Sequence, residues 1–186
     1  MNTANAINPI TVLALTPEAA DKYPLHTISV LVRNQPGVLV RVSLVFSRRG
    51  YNIESLVVSP DVPNPDFSRM TITCRGDGGN FEQIVKQLTK LIDVVHAIDH
   101  TGQASVETEI LLVKLKATDI TARTEILQVA EHYKAKVVDY GSESLALRAY
   151  GVSEKLDSFI SLLKPFGIQE LVRSGKILMA RGPATT

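Results

Sequence analysis

The chain is predicted to be an α+β protein made of two tandem ferredoxin-like βαββαβ units. Hydrophobic periodicity carries that prediction. From His26 onward it switches between the values for strands and helices, and the same order of elements occurs twice. A turn-rich break, Gly102-Gln103-Ala104-Ser105, falls between the two runs, and 186 residues leave room for two small domains.

In the first run, Ile28, Val30 and Val32 alternate with Ser29, Leu31 and Arg33, which predicts a strand with one apolar face. Val38, Val42, Val45 and Phe46 then recur at helical spacing, and Gly50 supplies a left-handed stop. Residues 53–59 and 68–75 read as strands joined by the proline-rich segment 60–66. Phe81, Ile84, Val85, Leu88, Leu91, Ile92 and Val95 keep helical spacing and predict one long helix. A strand through Ala97 and Ile98 closes the unit. The second run repeats the order: strand 107–117, a helix carrying Ile126, Val129, Ala130 and Tyr133, short strands at 137–138 and 145–147, helix 153–166, and a strand from Ile168. The expected organisation is a flexible tail at 1–25, a first domain at 26–101, a linker at 102–105 and a second domain at 106–183.

Composition narrows the function classes. A net charge of +1 lacks the basic excess of a nucleic-acid binder, and 5% aromatics without tryptophan offer no base-stacking platform. No apolar run approaches the ~20 residues of a membrane span. Residues 1–25 carry Lys22 as their only base, unlike a secretory leader, so a cytoplasmic protein is expected. The single Cys74 lies in phase with Met70 and Ile72, as a buried structural thiol would.

Catalytic and metal signatures are missing from the pattern. His26, His96, His100 and His132 are scattered without Cys/His ligand spacing; only His96 and His100 share a strand face. Gly76-Asp77-Gly78-Gly79 has no lysine in phosphate-loop register, and Ser174-Gly175-Lys176 has no upstream glycine. Neither catalysis nor a resident cofactor is expected.

A ligand site is suggested instead by topology. A βαββαβ unit with right-handed crossovers takes the sheet order 4-1-3-2, leaving strand 2 as an edge. That strand holds one charge, Glu54, and invites antiparallel pairing with a second copy. Strands 1 and 2 point the same way, so Asn34 and Asn52 lie at opposite ends of one subunit. Two-fold pairing brings Asn52 of the second copy towards the Asn34–Gly37 loop. Backbone N–H groups at Gly37, Val38 and Leu39 open a helix and favour a carboxylate, while Gly37 permits close approach. Asn34 and Asn52 offer carboxamide oxygens to an ammonium group or amides to the carboxylate. Val38, Leu39 and Ile53 suit a short aliphatic side chain. Leu31, Leu56 and Val58 are expected on the sheet face away from the helices, where another sheet or subunit covers them. On spacing alone, a plain turn at 34–37 competes with this reading.

The motifs also carry a resemblance. Thr27-Ile28-Ser29-Val30-Leu31-Val32, Pro36-Gly37-Val38-Leu39-Val40-Arg41-Val42 and, above all, Arg48-Arg49-Gly50-Tyr51-Asn52-Ile53-Glu54-Ser55-Leu56 resemble the small regulatory subunits of acetolactate synthase. Residues 26–101 look like their ACT domain, and Arg173-Ser174-Gly175 matches near the end. The resemblance implies a non-catalytic partner of a large subunit that holds thiamine diphosphate, Mg²⁺ and FAD. It implies activation of that subunit and feedback inhibition by valine. Asn34, Gly37 and Asn52 match the family's valine-binding positions, with the backbone of Val38, Leu39 and Ile53 alongside. Val40 departs from the usual small residue of the first helical turn. The alternative is a stand-alone ACT-type amino-acid sensor acting on another partner.

Overall fold

A computed structural model describes residues 23–183 and Thr186. The first unit runs β1 Leu25–Arg33, α1 Val38–Ser47, β2 Ile53–Pro60, β3 Phe67–Arg75, α2 Gly78–Leu88 and β4 Val94–Asp99. Its antiparallel sheet has the order β2-β3-β1-β4, the order expected from the crossover rules. The second unit runs β5 Ser105–Lys116, α3 Ile120–His132, β6 Lys136–Tyr140, β7 Ser144–Gly151, α4 Ser153–Leu163 and β8 Ile168–Arg173, in the order β6-β7-β5-β8.

Each sheet buries one face under two helices. In the first unit Val42 and Phe46 of α1, with Ile84 and Leu88 of α2, close over Ile28, Val30 and Ile72. In the second, Ile126, Leu156 and Phe159 close over Leu111, Val113 and Leu147. Fully burying a side chain of this size contributes about 1.5–3 kcal/mol, so each cluster can hold its own layer pair together.

Three expectations change. The helix predicted to reach Val95 ends at Leu88, and residues 89–93 form tight turns, with Leu91 N–H on Leu88 O and Val94 N–H on Leu91 O. The helical spacing of Ile92 and Val95 was coincidental: Ile92 is 89% exposed and Val95 sits on β4. The β-branched residues Ile92, Val94 and Val95 favour extended backbone there.

Leu56 and Val58 lie on the helix side of the sheet, not the far side. A bulge between Ile53 and Ser55 shifts β2 by one residue, setting Leu56 opposite Ile72 and Val58 opposite Met70. The far face carries Ser55 and Val57 instead, beside Thr73 and Thr71.

A further strand, β9 Ile177–Ala180, pairs with the first four residues of β5. Four residues are too short to show an alternation.

Candidate functional site

The loop from β1 to α1 is a type II turn. Pro36 takes its second position and Gly37 its third, at φ 83° and ψ −9°, while Val38 N–H reaches back to Gln35 O at 3.4 Å. A left-handed residue is required there, which explains the glycine. α1 then starts without a side-chain cap. α3 does the opposite: Asp119 accepts from Thr121 N–H and Ala122 N–H at 3.0 and 3.1 Å. Helical geometry leaves the Leu39 and Val40 N–H groups without an intrahelical acceptor.

Asn34 is held by the β2–β3 loop. Its backbone N–H donates to Asp66 O at 2.7 Å, and its side-chain Nδ2 donates to Pro65 O at 3.1 Å. One Nδ2 hydrogen is engaged there; the carboxamide oxygen, an acceptor, and the second Nδ2 hydrogen, a donor, remain to offer. The oxygen suits the ammonium side of the two roles left open by spacing, and the remaining N–H suits the carboxylate side. Val38 is 2% exposed, so its side chain belongs to the core and only its backbone faces the loop. Leu39 is 42% exposed and remains available.

The mouth is braced from a direction that periodicity does not signal. Arg41 Nε donates to Asp93 Oδ2 at 2.7 Å, and Asp93 O accepts from Arg33 N–H at 2.8 Å. The α2–β4 turn thereby ties α1 to the end of β1.

Asn52 and Ile53 lie elsewhere. Ile53 is level with Cys74, which is level with His26 near the start of β1, whereas Arg33 pairs with Phe67 at the other end. Asn52, one residue before Ile53, is level with Leu25, so Asn34 stands about 30 Å along the strand direction from Asn52 in one chain. Asn34, Gly37, Val38 and Leu39 gather at one end; Asn52 and Ile53 gather at the other. Asn52 borders a cleft of about 1040 Å³ whose walls carry Arg48, Arg49, Arg75 and Lys90 against Glu54 and Asp77. Tyr51 fixes its approach: a Cβ on Gly76 would sit 1.9 Å from the Tyr51 ring, so the ring lies flush on the glycine. Nothing in the local sequence of Gly76 announces that role.

Two family models divide the chain along its fold: residues 28–96 match the AHAS small subunit-like ACT domain, and residues 108–182 match the small subunit of acetolactate synthase. The acetolactate synthase small subunit of Mycolicibacterium smegmatis is 46% identical over 160 residues, covering 86% of this chain and 93% of that one. The chain belongs to the acetolactate synthase small subunit family. The probable small subunit of Methanothermobacter thermautotrophicus is 44% identical over 160 residues, covering 86% of this chain and 95% of its own. The crystal structure of the Thermotoga maritima small subunit superposes with a TM-score of 0.77 at 34% identity, covering 87% of this chain and 99% of that chain.

The other candidate groups of this small subunit are structural. Cys74 is fully buried, and burial, followed by Asp99 and Glu54, pushes its thiol up to about 12. His26 stacks on Phe81 with ring centroids 3.7 Å apart. His100 is buried with its Nε2 2.7 Å from Ser29 Oγ, and burial lowers its pKa. Among the described residues no cluster of three or more His, Cys, Asp or Glu has metal-binding geometry, and no helix is long and apolar enough to cross a membrane.

Proposed function

We propose that this small subunit is the non-catalytic regulator of acetolactate synthase in branched-chain amino acid biosynthesis. In this reading it binds the large catalytic subunit in the cytoplasm, raises its activity and makes it sensitive to valine. Thiamine diphosphate, Mg²⁺ and FAD belong to that catalytic partner, and this chain holds none of them. The observation that carries the reading is the open β2 edge combined with the separation of Asn34 from Asn52.

Two copies paired antiparallel through β2 extend the four-stranded sheet to eight strands. A dyad near Val57 sets Asn52 of the second copy level with the Arg33–Phe67 end of β1. Three strand spacings, about 14 Å, then separate it from Asn34. Two carboxamide side chains with one small amino acid between them fill that gap. The valine carboxylate takes the Leu39 and Val40 N–H groups. The ammonium group takes the oxygens of Asn34 and of Asn52 from the second copy, and the isopropyl group lies on the half-exposed Leu39 and on Ile53 of the second copy. Charge-assisted hydrogen bonds of about 1.5–3 kcal/mol each, less the cost of association, put affinity between roughly micromolar and millimolar.

Valine acts only through different affinities for two states of the complex. Ligand at the seam between two subunits biases how the paired domains lie against each other. Assay of the reconstituted holoenzyme tests the reading. Asn52→Ala is expected to leave activation intact and abolish valine inhibition; inhibition at the unmodified valine concentration overturns the site.

A further inference from the structure

We propose that the cavity between the two units is a second small-molecule site, built for the zwitterion of a free amino acid with a very short side chain. Its volume is about 310 Å³, at the small end of ligand pockets. The first unit supplies one wall from β2 and β3, through Glu54, Ser55, Thr73 and Arg75. The second supplies the other from the start of α4 and the β8–β9 turn, through Ser153, Asp157, Gly175 and Lys176. The two walls meet where Gly175 lies against Ser55.

Charge selects the ligand. The lining holds three cations, Arg75, Arg173 and Lys176, and three carboxylates, Glu54, Glu109 and Asp157, so the sum favours neither an anion nor a cation. On the wall of the second unit the charges are already engaged. Arg173 bonds Glu109 at 2.8 Å and Asp157 at 2.6 Å, and Lys176 bonds Glu107 at 2.8 Å. On the wall of the first unit, Glu54 and Arg75 form no ion pair among the described residues. Arg75 uses Nη1 on Tyr23 O at 3.2 Å. Its Nε and Nη2 keep the parallel donors that a carboxylate takes side-on.

Backbone register sets the two poles at amino-acid spacing. The β2 bulge places Glu54 between the rows of Cys74 and Thr73, and Arg75 is the next residue of β3. Neighbouring strands lie about 4.8 Å apart, so one α-amino acid can set its ammonium on Glu54 and its carboxylate on Arg75. Ser55 Oγ and Thr73 Oγ1, 2.6 Å apart, give the wall between them a hydroxyl surface. Leu25 is the one aliphatic side chain in the described lining, so a long apolar side chain finds little to lie on. Glu54 and Arg75 also border the cleft beside Asn52, but Asn34, Gly37 and Asn52 do not line this cavity. A ligand here touches both units and holds their contact together.

Calorimetric titration of the full chain carrying Asn52→Ala with glycine, L-alanine and L-serine tests the site with the valine seam disabled. At least one of the three is expected to bind once per chain, with the affinity it has for the unmodified chain, and to raise the thermal midpoint. The N-acetyl and carboxamide forms of that amino acid, each lacking one pole, should bind at least about tenfold more weakly. Glu54→Gln and Arg75→Gln should each weaken binding by about tenfold to a hundredfold. Glu54 is exposed, and circular dichroism checks both folds. The blocked ligands keep the test intact if Arg75→Gln does not fold. No binding of any of the three at about 10 mM overturns the proposal. So does binding that Asn52→Ala abolishes, or equal binding of the blocked forms.

Discussion

Gly175 rests directly on Ser55: a Cβ added to the glycine would lie 2.9 Å from the Ser55 Cβ and 3.3 Å from Val57 Cγ2. The β8–β9 turn of the second unit thereby touches the far face of β2, the edge strand that begins beside Asn52. Gly175 also sits at φ +80°, where any side chain is strained. Gly175→Ala is expected to cost about 1–3 kcal/mol in urea unfolding, from backbone strain and the clash together. Adding Ser55→Gly should recover the clash and leave the strain. A double-mutant cycle with no coupling between the two positions would contradict the contact.

The turn that carries Gly175 is held by a buried carboxylate. Glu109 accepts from Arg173 Nε at 2.8 Å, Ser153 Oγ bonds its other oxygen, and Arg173 reaches on to Asp157 at 2.6 Å. Ser174 N–H and Oγ meet Ile110 O and N–H, both at 3.0 Å. Removing the cation strands Glu109, whose side chain is 7% exposed. Arg173→Met is expected to destabilise the chain by about 2–4 kcal/mol. Converting Glu109→Gln in the same chain removes the buried charge and should restore part of that loss, measured by the urea midpoint at constant m-value.

His100 gives stability a pH dependence of definite sign. Burial lowers its pKa in the folded state, against the smaller opposing pull of Asp99 and Glu107. The unfolded chain then binds more protons than the folded one below the ordinary histidine value of about 6.5. Stability is complete above that value and declines as pH falls through it. Urea midpoints at pH 7.5 and 5.5 measure the decline, and His100→Gln should narrow it. An unchanged gap would assign the dependence to other groups.

The parts of this fold legible in the sequence are those with long repeats. Val38, Val42, Val45 and Phe46 announced the buried stripe of α1, and the crossover rules fixed the sheet order once the strands were placed. Contacts between distant segments were not legible. The Ile53–Ser55 bulge turns Leu56 and Val58 inward, and no local signal marks it because the register is set by β3. The Arg41–Asp93 pair and the Tyr51–Gly76 contact join segments far apart in the chain, so neither has a spacing to read. In the candidate site, Gly37 was legible from turn chemistry. The engagement of Asn34 Nδ2 by Pro65 was not, because a loop distant in the chain supplies the acceptor.

In the proposed site, Gly37 would join backbone conformation to ligand binding in a single position. Its φ of +83° is left-handed, and an added Cβ would come within 3.3 Å of Arg41 Nη1, the side chain that anchors α1 to Asp93. Alanine there costs about 1–2 kcal/mol of backbone strain. Two relaxations are open to the chain. It can keep the turn and lose stability, or it can rotate the turn and misdirect the Leu39 and Val40 N–H groups. In the first case the thermal midpoint of Gly37→Ala falls while valine affinity, measured calorimetrically on the intact small subunit, drops little. In the second, affinity falls by about tenfold with a smaller change in midpoint. The exposed Arg41 guanidinium, with its side chain 45% accessible, can yield to a methyl group, so relief at the turn itself is limited mainly by φ. The second outcome is therefore expected, and Gly37→Ala binding valine like the unmodified chain would remove the α1 N-terminus from the effector site.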